Sequence, residues 1–142
     1  MTAIQPDTPL LFVYGTLLSA LQRRTRARVR SHDLRLFAPA YVYGQIYDLG
    51  AYPGAIRSTN PTRICGELLE LHRGSTNWRI IDAYEDYQPH NEQRSLFLRR
   101  LTTAWRISDD APFSCWIYWY NRSTTGRRRI HSGDYLAYLA KH

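Results

Sequence analysis

The chain has 142 residues, 44% of them hydrophobic and 22% charged, and a formal net charge of +7. That length suits one domain over residues 1–142 with a real core, and the hydrophobic share excludes a disordered chain. No apolar run is long enough to span a bilayer, and "MTAIQPDTPL" lacks the basic segment of a secretory signal, so a cytoplasmic location is expected.

Leu11, Phe12, Val13 and Tyr14 read as a buried strand. Gly15 and Thr16 interrupt it, and Leu17 to about Arg30 predicts a helix. Glycine at such a turn permits positive φ and lets a ligand approach bare backbone. Free N–H groups at a helix start favour an anion such as a carboxylate. A purely structural strand–glycine–helix turn has the same pattern. The predicted helix carries "RRTRARVR", with Arg23, Arg24, Arg26, Arg28 and Arg30. Such a cluster can face nucleic acid. A solvated helix face is the simpler reading, because arginines are spread along the chain and Lys141 is the sole lysine.

"LRLFAPAYVYGQIYDL" reads as one long strand or two, bent at Pro39 or Gly44. "GAYPGAI" is a turn feeding a short strand. "RICGELLEL" alternates, with Ile64, Gly66, Leu68 and Glu70 on one side and Cys65, Glu67, Leu69 and Leu71 on the other. Gly74 ends that strand, and Ser75, Thr76 or Asn77 supplies a cap for a helix through "WRIIDAY". "RSLFLRRLTTAWRI" and "FSCWIYWY" predict two aromatic-rich strands joined as a hairpin around "SDDAP". "SGDYLAYLAKH" opens with cap residues and predicts a short docking helix. About six strands and three helices without regular βαβ alternation imply an α+β class with a curled mixed sheet or barrel.

Standard sites find no support. The two cysteines, Cys65 and Cys115, lie in apolar runs and read as buried free thiols. The histidines, at 32, 72, 90, 131 and 142, have no metal-ligand spacing. Zinc-protease, serine-hydrolase, Walker and dinucleotide motifs are absent. One acid stands out. At 3.6 residues per turn, Trp78, Ile81 and Glu85 share a helix face, with Asp82 at its margin. An acid on an apolar face conflicts with binary patterning. Either it pairs with an arginine such as Arg99 or lies in water at the helix end, or burial tunes it as a general acid/base.

The ordered blocks "FVYGTL", "GQIYDLGAYPGAI", "CGELLEL", "IDAYEDY", "RSLFLRR" and "CWIYWY", with "SGDY" near the end, resemble the γ-glutamylcyclotransferase-like, or avirulence-induced-gene-like, superfamily. The resemblance runs from about residue 10 to residue 120. It implies a small mixed β-barrel flanked by helices, acting without metal or cofactor. It also implies a pocket for a γ-glutamyl head group, lined by Tyr14, Gly15, Thr16 and Leu17, with Glu85 moving protons. Tyr52 and Pro53 match a turn at the pocket edge, and Tyr118 and Tyr120 match aromatic positions in the last barrel strand. There are departures. Asp86 stands where the family usually has glycine, Phe97 where tyrosine is common, and "QPHNEQRS" follows the acid.

The reaction so implied is cyclisation of a γ-glutamyl amine or peptide to 5-oxoproline and a free amine. A non-catalytic module that keeps the pocket is the alternative, and a basic nucleic-acid-associated protein the third. The expected partner is a small γ-glutamyl compound rather than a membrane or nucleic acid.

Overall fold

Leu10–Val13 forms β1, and all four of its residues are buried. A continuous apolar strand requires cover on both faces. Leu10 and Phe12 point into a core shared with Val42, Ile64, Leu68 and Ile117. Leu11 and Val13 point the other way, into a second core with Leu69, Leu71, Ile81 and Phe97. The computed structural model describes residues 2–18, 21, 34–71 and 77–142.

The first core is the inside of a closed barrel. After β1 come β2 (Leu34–Asp48), β3 (Pro53–Ile56), β4 (Thr62–Leu71), β5 (Phe97–Arg106), β6 (Pro112–Tyr120) and β7 (Arg128–Arg129). The order β2-β4-β1-β6-β5 closes on itself, because β5 pairs back onto β2 through Ala40↔Arg106 and Tyr41↔Trp105. The β1–β6 pair is parallel, registered at Leu11↔Trp116. The other pairings round the barrel are antiparallel. The short strands β3 and β7 extend the far end of β2, where Tyr47 and Asp48 pair with both. The fold is α+β, as expected.

Most predicted elements appear with small shifts in their bounds. "LRLFAPAYVYGQIYD" is one 15-residue strand. Neither Pro39 nor Gly44 breaks it; the irregularity falls between Leu36 and Ala38. Pro39 has no N–H to give, but its carbonyl still accepts from the Ile107 N–H at 3.0 Å. The alternation in β4 divides as read, with Ile64 and Leu68 inside the barrel and Leu69 and Leu71 outside it. The hairpin between β5 and β6 runs in register from Phe97↔Tyr120 to Trp105↔Pro112. Two α-helices are described, α1 (Asn77–Tyr84) and α2 (Tyr135–Lys141). Asp134 caps α2 by accepting from the Ala137 N–H at 3.1 Å. The helix expected from Leu17 to Arg30 lies outside the described residues, apart from Leu17, Leu18 and Leu21. So do the five arginines of its cluster and the proposed caps Ser75 and Thr76.

Gly66 marks the tightest crossing of β4 over β1. A Cβ there would lie 2.2 Å from the Val13 carbonyl oxygen and 2.6 Å from a Phe12 ring carbon. Backbone cannot yield as a flexible side chain can, so Gly66→Ala is expected to lower stability by about 2–3 kcal/mol. Urea unfolding checks this, and a loss below about 0.5 kcal/mol would show that the crossing is slack.

Candidate active site

A cavity of about 180 Å³ opens where β1 runs out, between that turn and the end of α1. Its walls include Phe12 and Val13 of β1, the turn Tyr14–Leu17, Tyr52 and Pro53 before and at the start of β3, Tyr84 and Glu85 at the end of α1, and Tyr118 of β6. Leu96 and Phe97 complete it. Most of these groups are apolar, and Glu85 is the only carboxylate among the lining residues.

Glu85 is placed by the way α1 stops. Its N–H still bonds the Ile81 carbonyl at 2.9 Å, so it continues the last turn. Asp86 then turns left-handed at φ 53°. The Tyr87 N–H reaches back to the Asp82 carbonyl at 2.8 Å, and the Asp86 N–H to Ala83 at 3.2 Å. These two bonds form a Schellman stop with Glu85 as C-cap. The left-handed position after a C-cap favours glycine and tolerates aspartate or asparagine. That explains how Asp86 stands where the resembling family usually has glycine.

Glu85 is half-buried as a residue, yet protein encloses its carboxyl, and that desolvation pushes its pKa up to about 8. Arg99, the example of an arginine that could pair with it, is engaged elsewhere. Arg99 Nε and Nη2 donate to the two oxygens of Asp82 at 3.0 and 3.3 Å. The Tyr118 hydroxyl donates to the same Asp82 Oδ1 at 2.5 Å. Arg99 also lies over the rings of Trp78 and Trp116, 4.4 and 5.1 Å from their centroids. The helix is thus fixed to β5 and β6 by Asp82, which leaves Glu85 to face the cavity.

The opposite wall is the turn after β1. The Tyr14 hydroxyl donates to the Tyr118 carbonyl at 2.6 Å and accepts from the Ala55 N–H at 3.1 Å. Burial, with the Glu85 charge second, holds this phenol far above its ordinary pKa. Tyr14 therefore offers its ring to the cavity while its hydroxyl ties β1 to β6 and β3. Thr16 Oγ1 and the Tyr84 hydroxyl share a short hydrogen bond that joins the turn to α1. Among the described residues, the N–H groups of Gly15 and Thr16 have no protein acceptor. Gly15 does not need positive φ, contrary to one expectation. Its constraint is contact: a Cβ would sit 2.8 Å from the Pro53 ring.

The family model described as gamma-glutamyl cyclotransferase, AIG2-like, matches residues 11–137. The chain belongs to this family. Solved structures share the family fold. YkqA of Bacillus subtilis superposes with a TM-score of 0.66 at 20% identity, over 94% of this chain and 42% of that one, so this chain spans less than half of YkqA. An AIG2-like protein of Mus musculus gives 0.60 at 18% identity, over 80% and 78% of the two chains. YtfP of Escherichia coli gives 0.60 at 25%, over 92% and 98%. No curated protein sequence matches the chain.

Within this AIG2-like chain, eight of the nine residues singled out from sequence line the one cavity: Tyr14, Gly15, Thr16, Leu17, Tyr52, Pro53, Glu85 and Tyr118. Tyr120 is not among the lining residues. It packs on Phe97, with ring centroids 5.5 Å apart, and backs that wall from behind. Sequence reading missed Tyr84, whose hydroxyl meets Thr16, and the anchoring role of Asp82. Asp82 carried a usable signal, since an acid at the margin of an apolar face needs a cation and Arg99 was already in view. The segment "QPHNEQRS" forms a turn and a 3-10 helix at Glu92–Arg94. Arg100 anchors that turn by donating to both Glu92 oxygens, at 2.7 and 2.9 Å.

Removing the Asp82 carboxylate strands Arg99 and the Tyr118 hydroxyl beneath α1. Asp82→Ala is expected to cost about 2–4 kcal/mol. Tyr118→Phe removes one bond and is expected to cost about 1 kcal/mol. Equilibrium denaturation of the two variants checks the order, and a larger loss for Tyr118→Phe would overturn it.

Proposed function

We propose that this chain cyclises a γ-glutamyl amine or peptide, releasing 5-oxoproline and the free amine, with Glu85 as general acid and base. The observation that carries this reading is a desolvated carboxylate facing a turn with unengaged N–H groups across one small cavity. Family membership supports the reaction class.

On this reading the substrate's α-carboxylate accepts from the N–H groups of Gly15 and Thr16. Its α-ammonium then lies towards Glu85. The carboxylate takes one proton from the ammonium, which frees the nitrogen lone pair. The nitrogen attacks the γ-carbonyl carbon, the lactam C–N bond forms, and the old amide C–N bond breaks. Glu85 passes its proton to the departing nitrogen; the second proton, shed by the attacking nitrogen as it becomes the lactam N–H, follows through the same carboxyl, and the amine leaves in its ammonium form. One group can take and return a proton near neutral pH when its pKa lies near the working pH, as about 8 does. The cavity walls hold the chain folded for ring closure, where orientation is a large part of the barrier. Tyr52, Pro53 and Tyr118 serve as walls, and Tyr120 supports Phe97 from behind.

A panel of γ-glutamyl compounds, read as released 5-oxoproline, tests the reaction. Glu85→Gln keeps shape and removes proton transfer, so turnover is expected to fall by about 10² or more. Near-full turnover in that variant would sink the assignment. Binding across the panel without turnover by the unaltered chain would favour a module that only retains the pocket. A substrate analogue with its α-carboxylate amidated is expected to bind poorly, and equal binding would remove the N–H cradle.

Stability carries an independent signature of Glu85. Its folded pKa is raised, from 4.5 to about 8, so the folded state holds the proton more tightly than the unfolded chain. The stabilisation is full below pH 4.5 and is lost as pH rises through about 8. Unfolding measured from pH 5 to 9 is expected to show this decline in the unaltered chain and to lose it in Glu85→Gln. Identical slopes would mean that the carboxyl is solvated.

A further inference from the structure

A second cleft, of about 390 Å³, lies between β7 and α2 and shares no lining residue with the Glu85 cavity. Arg128, Arg129, His131, Lys141 and His142 line it, with no Asp or Glu side chain among the lining residues. The acids nearest in the fold carry other bonds, although the charges of Arg128 and His142 act on Asp48, whose backbone pairs with that of Arg128 across β2 and β7. Asp48 accepts from the Tyr138 hydroxyl at 2.6 Å and from the Gly50 N–H at 2.8 Å. Asp134 caps α2.

Some surface arginines are ion-paired, Arg35 with Glu70, Arg100 with Glu92 and Arg106 with Asp109, and others such as Arg57 and Arg63 lie over aromatic rings instead. Among the described residues, Arg128, Arg129 and Lys141 have no carboxylate within ion-pair distance. Arg129, half-buried at the cleft wall, donates through Nη2 to the Thr62 hydroxyl at 3.5 Å. Gathering like charges in one concavity raises the local concentration of counter-anions.

We propose that this cleft binds a small, multiply charged phosphoanion. Guanidinium forks and an ammonium suit phosphate oxygens, which accept several charge-assisted bonds at once. The cations converge on one concavity instead of running along a face as a nucleic-acid stripe does. The site is independent of the γ-glutamyl reading, because the two cavities have no residue in common.

The probe is inorganic pyrophosphate, titrated into the full chain by calorimetry and followed by NMR at Tyr138 and His142. Saturable binding is expected, with shifts confined to the cleft. Arg128→Gln/Lys141→Gln changes two side chains without touching the half-buried Arg129, so the fold is not at risk. It is expected to weaken binding by about tenfold or more. Arg35→Gln removes a paired arginine on another strand and is expected to change nothing. Absence of saturation at millimolar pyrophosphate, or equal affinity in the double variant, would overturn the site. A single-stranded oligonucleotide that binds more tightly than pyrophosphate, and loses that binding in the double variant, would overturn the small-anion assignment in favour of nucleic-acid phosphates.

Discussion

The part-buried pair of Asp82 and Arg99 is the interaction on which the cavity depends. A helix of eight residues such as α1 is too short to be stable alone. It needs tertiary support, and Ile81 supplies an apolar part of it. Direction comes from Asp82, which takes two bonds from β5 and one from β6. Burying an ion pair brings little net stability against an apolar substitute. What the pair does here is fix which way the helix end faces. Because the Trp78 and Trp116 rings cover Arg99, the cation is held to Asp82 and is not free to neutralise Glu85.

The acid inside α1 and the acid at its C-cap therefore meet different fates three positions apart. Asp82 sits a turn inside the helix with a cation and a phenol against it. Glu85 sits at the C-cap with apolar walls and no counter-charge among the lining residues. Burial without a counter-charge raises the pKa of Glu85, and a carboxyl so perturbed in a cavity is a candidate for chemistry. The turn after β1 is fixed as firmly as the helix. Tyr14 ties it to β3 and β6, and Thr16 ties it to Tyr84. Both walls are thus held to the same barrel.

Much of this was legible in the sequence. The apolar run in β1 read as a buried strand, and the alternation of β4 sorted its side chains onto the two sides that the barrel separates. The acid on an apolar helix face pointed to Glu85. Other features were hidden for physical reasons. The turn at Gly15 looks like a positive-φ position, whereas its need is for room against Pro53, a residue brought near only by the fold. The stop of α1 was masked because aspartate, not glycine, takes the left-handed position. Pro39 looked like a break in β2, but strand pairing on both of its sides outweighs the missing donor. Barrel closure by β5 onto β2 cannot be read from local pattern at all.

The parallel seam between β1 and β6 has a kinetic consequence. The Tyr14 hydroxyl finds its acceptor on Tyr118, 104 positions along the chain. Until β6 is made, β1 has one sheet neighbour at most and an apolar face without cover. Pairings so distant in sequence form late and slow folding, because the loop must close before any contact rewards it. An unpaired apolar strand is also a ready edge for another chain. The same strand that carries the turn of the cavity is thus the segment most in need of protection during synthesis.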